Sequence, residues 1–253
     1  MVTTKDIPGT PVLPNCQPQT YVFAQDKVRF LGEAVAAVAA TSEEIAEEAL
    51  KRIEIEYEPL PAVIGILDAM REDAPLLFPV APNVSPATEV GQGDVAMGFA
   101  KADVIVEHIY TAQRREHAAM EPEAALAYED EDGMMVVHAA LYNPFVQGQK
   151  SIAGILGVDP ERVRIICPAM GGNFGSRGDS LAATVVALLA LKTKKPVRIV
   201  YGREESLLGS SKSPAARMKY KTGATKDGKL IALDVEIIRS GGTWAPYLSP
   251  YTT

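Results

Sequence analysis

Val163-Arg-Ile-Ile-Cys-Pro-Ala-Met-Gly-Gly-Asn-Phe-Gly-Ser-Arg-Gly-Asp179, continued two residues later by Leu181-Ala-Ala-Thr-Val-Val-Ala-Leu-Leu-Ala-Leu-Lys192, passes from a β-rich run through a glycine loop into an apolar helix. Val163–Cys167 reads as a short strand. Leu181–Lys192 is almost wholly Leu, Val and Ala, which predicts a helix buried on most sides. Asp179 stands where a cap is expected, and Lys192, Lys194 and Lys195 suit the negative end of the helix dipole. Between strand and helix, the glycines let backbone approach a ligand, and successive N–H groups near a helix start can hold an oxyanion. No Gly-Lys-Ser/Thr follows at P-loop distance and the dinucleotide pattern GxGxxG is absent. The spacing leaves a structural turn and a ligand loop both open.

Working outward, Asn143-Pro144 starts a helix whose apolar side is Phe145, Ile152, Ile155 and Leu156, ending at Gly157. Asp103–Ala112, Ala124–Tyr128 and Met134–Leu141 read as strands, the last two joined by the acidic turn 129–133. Downstream lie a strand at Val197–Tyr201 and a hairpin of Arg217–Thr225 with Leu230–Ile238 around Lys226-Asp-Gly-Lys229. Near the N-terminus, Pro8, Pro11, Pro14 and Pro18 predict an extended lead-in without regular hydrogen bonding. Ala34–Ala40 reads as a strand buried on both faces, its alanines leaving a helix open as the alternative. Thr41 with Glu44 forms a capping box for a helix over Ser42–Arg52, and Ile53–Glu58 alternates as a strand with one wet face. Pro75, Pro79, Pro82 and Pro86 mark a linker from Glu72 to Gly93. The expected fold class is α+β, with one domain over residues 1–93 and a second over 94–253. Residues 240–253 hold two aromatic-proline corners and no closing element.

With 32 acidic against 25 basic residues the net charge is −7, so no broad positive field exists to hold a phosphate backbone. No apolar stretch approaches the roughly 20 residues needed to cross a bilayer. Residues 1–6 lack the basic patch and apolar core of a secretory leader, so a cytoplasmic location is expected. Cys16 and Cys167 form neither a disulfide framework nor a CxxC pair and are expected to be reduced, partly buried thiols. His108, His117 and His138 lack HxxxH or HExxH spacing, and no GxSxG elbow occurs, so a protein-ligated metal and a covalent nucleophile are both unsupported.

A second charged segment, Arg114-Arg-Glu-His-Ala-Ala-Met-Glu-Pro-Glu123, joins two predicted strands. His117 could act as a base with Glu116 or Glu121 as its orienter. A salt-bridged strand end explains the same residues.

Two groups of motifs resemble one family, the molybdenum hydroxylases represented by xanthine dehydrogenase and aldehyde oxidase. Asp26-Lys-Val-Arg-Phe-Leu-Gly-Glu-Ala-Val-Ala-Ala-Val-Ala39, continuing through Ile55-Glu-Tyr-Glu-Pro-Leu-Pro61, is similar to the second half of the family's α/β hammerhead domain. Glu116-His-Ala-Ala-Met-Glu-Pro-Glu123, Tyr142-Asn-Pro144 and Met170-Gly-Gly-Asn-Phe-Gly175 are similar to the start of its molybdopterin-binding domain. The resemblance implies a molybdenum cofactor held through a pyranopterin dithiolene, with Gly171, Gly172, Asn173, Phe174 and Gly175 against it and Arg115, Glu116 and His117 in the pocket or its surround. It implies hydroxylation of an aldehyde or N-heterocycle with water as oxygen source, electrons leaving through 2Fe-2S clusters to FAD on partner subunits or domains.

The departures are as informative. Where purine-hydroxylating members carry a glutamine two residues before the motif histidine, this chain has Arg115. Where they carry a glutamate after the glycine loop, it has Gly178. Asn173 replaces the commoner third glycine, and Ser176-Arg177 the usual Gly-Lys or Gly-Arg. The family's general-base glutamate is expected beyond residue 253, so no catalytic residue is assigned in this chain. The expected partners are the remainder of the molybdopterin subunit, an iron–sulfur subunit and an FAD subunit. A non-catalytic remnant that keeps the fold and binds partner subunits is the competing expectation.

Overall fold

The computed structural model describes residues 1–13, 20–78, 82–178 and 180–241. In chain order the strands and helices are β1 (Val2–Thr3), β2 (Val12–Leu13), β3 (Thr20–Tyr21), β4 (Ala36–Ala37), α1 (Glu43–Lys51), α2 (Ile66–Ala69) and α3 (Val95–Ala100). They continue with β5 (Val104–Ala112), β6 (Ala124–Glu129), β7 (Met135–Ala139), α4 (Ser151–Leu156), β8 (Val163–Ile166), α5 (Leu181–Thr193), β9 (Val197–Val200), α6 (Arg203–Gly209), β10 (Ala216–Ala224) and β11 (Leu230–Arg239). By contacts the chain divides into two compact units, residues 1–60 with 116–212, and residues 61–115 with 213–241.

The first unit is built on a four-stranded sheet in the order β8-β7-β6-β9, antiparallel except for the parallel pair β7–β8. A parallel pair needs a crossover, which a π-helical turn, Pro144–Lys150, and α4 supply. Asn143 starts it, its side-chain oxygen accepting the Val146 N–H at 3.2 Å. Helix α5 lies on the sheet and packs chiefly on β6, where the buried Ala125 and Ala127 let the backbones approach. Every residue from Leu181 to Ala190 is buried, as the unbroken apolar run demands. The expected capping residue Asp179 lies outside the described residues, and Ser180 at the cap position makes no side-chain cap bond.

Several expectations for the N-terminal region need correction. The proline-rich lead-in is not without partners: β1 pairs with β4 and β2 with β3, while Val2, Leu13, Val22 and Phe23 are buried in the same core as α5. Prolines at 8 and 11 forbid long strands, but two-residue ladders fit between them. The run at 34–40 is half-buried, because a two-stranded ribbon cannot cover both of its faces. The cap of α1 is Ser42 rather than Thr41, its hydroxyl accepting the Ile45 N–H at 3.4 Å. Residues 53–58 form no strand: Ile55 and Tyr57 stay exposed, because among the described residues no neighbouring strand supplies the ladder that their alternation encodes. Helices α2, α3 and α6 fall where no helix was expected. Each spans seven residues or fewer, too short for a periodic signal.

The N-terminal segment also closes α4. The last carbonyls of a helix have no partner within it, and here Gly9 N–H donates to Ile155 O at 2.9 Å and Thr10 N–H to Gly154 O at 3.0 Å. Gly157, with φ +66°, ends the helix in the left-handed conformation. A Cβ on Gly9 would fall on the Gly154 carbonyl oxygen and within 2.7 Å of the Gly157 nitrogen.

In the second unit β11, β10 and β5 form an antiparallel sheet, the β10–β11 hairpin turning at Thr225–Lys229 with Gly228 at φ +85°. Helix α3 packs on β11, with Gly98 and Gly223 letting helix and sheet come close. Among the described residues no helix is long and apolar enough to cross a membrane.

Replacing Gly9 by alanine must break both carbonyl bonds to α4. We expect a loss of about 1–3 kcal/mol in unfolding free energy, measured by urea titration. A wild-type midpoint would refute the cap.

Candidate functional site

Residues 116–123 of the charged segment and the whole of the described glycine loop lie in the first unit, and the fold brings them together. Residues 116–123 lead into β6; residues 170–178 leave β8 and lead into α5. The Glu121 N–H donates to Gly171 O at 3.4 Å, and the Glu121 carboxylate accepts the Gly171 N–H. Each glycine is required where it stands. A Cβ at Gly171 would lie 2.6 Å from the Glu121 Cβ, and one at Gly172 would lie 3.2 Å from the Ala119 Cβ. A Cβ at Gly175 would lie 3.3 Å from His117 Nε2. Gly172 and Gly175 also hold φ +117° and +98°, conformations side chains rarely adopt.

The two segments are locked by Arg177, whose side chain is only 3% exposed. Its Nε donates to Gly172 O at 3.1 Å, Nη1 to Pro122 O at 3.4 Å and Nη2 to Glu121 O. Glu123 lies 3.5 Å and Glu121 3.8 Å from the guanidinium. The Arg177 carbonyl in turn accepts the Tyr142 N–H at 2.8 Å. A buried cation must be paired and hydrogen-bonded, and this one is satisfied by closing one loop onto the other.

Asn173 shapes the tip. Its side-chain oxygen accepts from Gly175 N–H and Arg177 N–H, both at 3.1 Å, and its carbonyl accepts from the Ser176 N–H and hydroxyl, both at 2.8 Å. Phe174 sits at φ +48° and is 73% exposed. Among the described residues the N–H groups of Gly172, Asn173 and Phe174 have no partner, so three consecutive donors stand open at the loop. Successive unpaired amides in such a turn bind oxygen acceptors.

On the other loop, His117 Nδ1 lies 3.2 Å from the Ser211 carbonyl. A carbonyl only accepts, so Nδ1 carries the proton of that bond. Glu116 accepts from His117 N–H at 2.9 Å and Ala118 N–H at 3.2 Å, and pairs with Lys212 Nζ at 2.7 Å. Those bonds hold Ala118 at φ +47°. Burial pushes the Glu116 carboxyl up, but Lys212 and the two backbone N–H groups outweigh it and hold the group below its usual range. Glu121 and Glu116 are thus engaged with Arg177 and Lys212, and Ser211 is the partner seen at Nδ1. Arg115 is exposed and belongs to the second unit, its backbone paired with Ser213, while Gly178 is buried. Arg177, Ser211 and Lys212 escaped sequence reasoning. An arginine between glycines just ahead of an apolar run was the one available signal, whereas Ser211-Lys212 had none.

Two predictions follow from this geometry. Arg177→Met leaves three carbonyls and the half-buried Glu123 without their donor, and should cost about 3–5 kcal/mol in chemical unfolding. Because the Glu116 value is depressed by folding, its stabilisation is present above its ordinary value of 4.5 and lost as pH falls through the folded value. Glu116→Gln should therefore flatten the stability profile on the acid side of 4.5, read by urea unfolding at stepped pH.

Residues 78–253 match the family model for the molybdopterin cofactor-binding domain, and residues 1–61 that for the a/b hammerhead domain of aldehyde oxidase and xanthine dehydrogenase. The nicotinate dehydrogenase large molybdopterin subunit of Eubacterium barkeri is 40% identical over 225 residues, covering 89% of this chain and 52% of that subunit. A probable xanthine dehydrogenase subunit from Bacillus subtilis is 35% identical, covering 97% of this chain and 33% of its own length. Among solved structures, the aldehyde oxidoreductase from Desulfovibrio gigas superposes with a TM-score of 0.85 at 29% identity, over 93% of this chain and 27% of that one. The chain thus spans about half or less of the length of these relatives.

Proposed function

The chain belongs to the molybdopterin cofactor-binding family of aldehyde oxidases and xanthine dehydrogenases, and from that premise we propose that it forms part of the catalytic subunit of a molybdenum hydroxylase. The observation that carries the reading is the run of three unpaired N–H groups at Gly172, Asn173 and Phe174, on a loop locked by a buried arginine. Donors without competing partners, on backbone cleared of side chains by glycine, fit a group that presents oxygen acceptors. When bound, the molybdenum cofactor supplies two-electron oxidation of a carbon centre, water being the source of oxygen.

The chain's own residues do the positioning. Gly172, Asn173 and Phe174 donate to the cofactor, while Gly171 and Gly175 give the loop its close approach to Glu121 and His117. Arg177 and Glu121 fix the distance between the loops, so the donors are set before the cofactor arrives and no reorganisation is required of them. His117, oriented by Ser211, and Glu116, held by Lys212, form the adjoining wall. Phe174, 73% exposed, offers apolar surface beside the donors.

For the substrate we propose an aldehyde or an N-heteroaromatic compound. Gly178 and Arg115 stand in place of the glutamate and glutamine of purine-hydroxylating members, which argues against a purine. Residues 1–93 are assigned to the hammerhead domain with its linker and 94–253 to the start of the cofactor domain. The remainder of the cofactor subunit, an iron–sulfur subunit and an FAD subunit are the proposed partners, in the cytoplasm. A remnant that merely keeps the fold is not favoured by the family matches.

The test is elemental mass spectrometry for molybdenum on the complex purified from its native source, with Gly172→Val alongside. Wild type should carry stoichiometric metal within a larger assembly. The valine, at φ +117° and against the Phe174 ring, should lower metal content about tenfold or more, each tenfold being about 1.4 kcal/mol. Metal-free wild type, or a fully loaded valine variant, would sink the assignment.

A further inference from the structure

We infer that Asn173 is a specificity-determining residue whose side-chain amide donates to an oxygen acceptor of the group seated on the glycine loop, an inference that rests on the cofactor reading above. The orientation of an asparagine amide is fixed by what surrounds it. Here both neighbours of the inner atom are backbone donors, Gly175 N–H and Arg177 N–H, each at 3.1 Å. Only the carbonyl oxygen can accept from them, so the NH₂ group faces away from the loop's interior. Among the described residues that NH₂ group has no partner, and it belongs to the same half-buried residue whose backbone N–H stands open between those of Gly172 and Phe174. Cap and donor are two ends of one planar group, so the bonds that hold the turn also aim the free amide. The commoner glycine at this position supplies neither. Asn173 therefore adds a neutral side-chain donor to the three backbone donors, and the acceptor it reads is an oxygen of either the cofactor or the substrate.

The experiment compares wild type, Asn173→Asp and Asn173→Gly in the assembled enzyme. Aspartate caps backbone N–H groups as well as asparagine does, so a purely structural role predicts that N173D behaves as wild type. A donor role predicts the opposite, because the NH₂ group becomes a carboxylate oxygen facing an oxygen acceptor. The readouts are molybdenum by elemental mass spectrometry, pterin by fluorescence of its oxidised form, melting temperature, and KM with whichever of nicotinate and benzaldehyde the wild type turns over.

If the acceptor is on the cofactor, N173D keeps its melting temperature and loses metal and pterin together by about tenfold. If it is on the substrate, N173D stays loaded and KM rises about tenfold with kcat retained. N173G removes cap and donor together without adding charge, and should move the same readout in the same direction by about threefold. Glycine is the commoner residue at this position, so the loop keeps its fold without the cap, and N173G with a wild-type melting temperature decides the matter if N173D melts early. Metal, pterin and KM at wild-type levels in both variants would overturn the inference and leave the cofactor reading standing. Wild type without molybdenum or pterin would overturn both.

Discussion

The buried guanidinium of Arg177 is the constraint on which the site depends. A cation that is 3% exposed is tolerable only when its hydrogens are taken up and its charge is met. The acceptors come from one loop at Gly172 and from the other at Glu121 and Pro122, with Glu123 supplying charge. Neither loop satisfies the arginine alone. The loops are consequently a single object, and the open amides at the tip are positioned by a contact on its inner side. The precision of the loop tip thus resides in a side chain that packs on its inner side.

The scaffold beneath explains why such a lock can be rigid. Helix α5 is buried along ten consecutive residues and rests on small residues of β6, so the end from which the glycine loop emerges is fixed by close packing. The 116–123 segment leads into β6 itself. Both loops are therefore anchored on elements that touch each other, a few residues from their anchors. Chemistry carried on loops held by a rigid layer is the usual division of labour.

What could be read from the residues follows from how local their physics is. The apolar run at Leu181–Lys192 has one solution, a buried helix, and the Lys226-Asp-Gly-Lys229 turn between alternating runs has one, a hairpin. The glycine loop and the Glu116–Glu123 segment were visible as chemistry-bearing stretches, yet nothing in their spacing said that they meet. That fact resides in Arg177, which a sequence shows only as a charge near glycines. The alternation at Ile53–Glu58 misled for the opposite reason: periodicity reports a capacity to pair, and pairing needs a neighbour. The two-residue ladders near the N-terminus fell below the length at which a period exists.

The capping of α4 by Gly9 and Thr10 bears on the order in which the chain acquires its structure. The donors are synthesised some 140 residues ahead of the acceptors, so the segment that carries them waits for the helix it finishes. Contacts of such wide sequence separation carry a large loop-closure entropy and form late. The Gly9–Thr10 segment is thus the closing clasp of the first unit, and the core around Val2, Val22 and Phe23 can be sealed only once the crossover between β7 and β8 has been laid down.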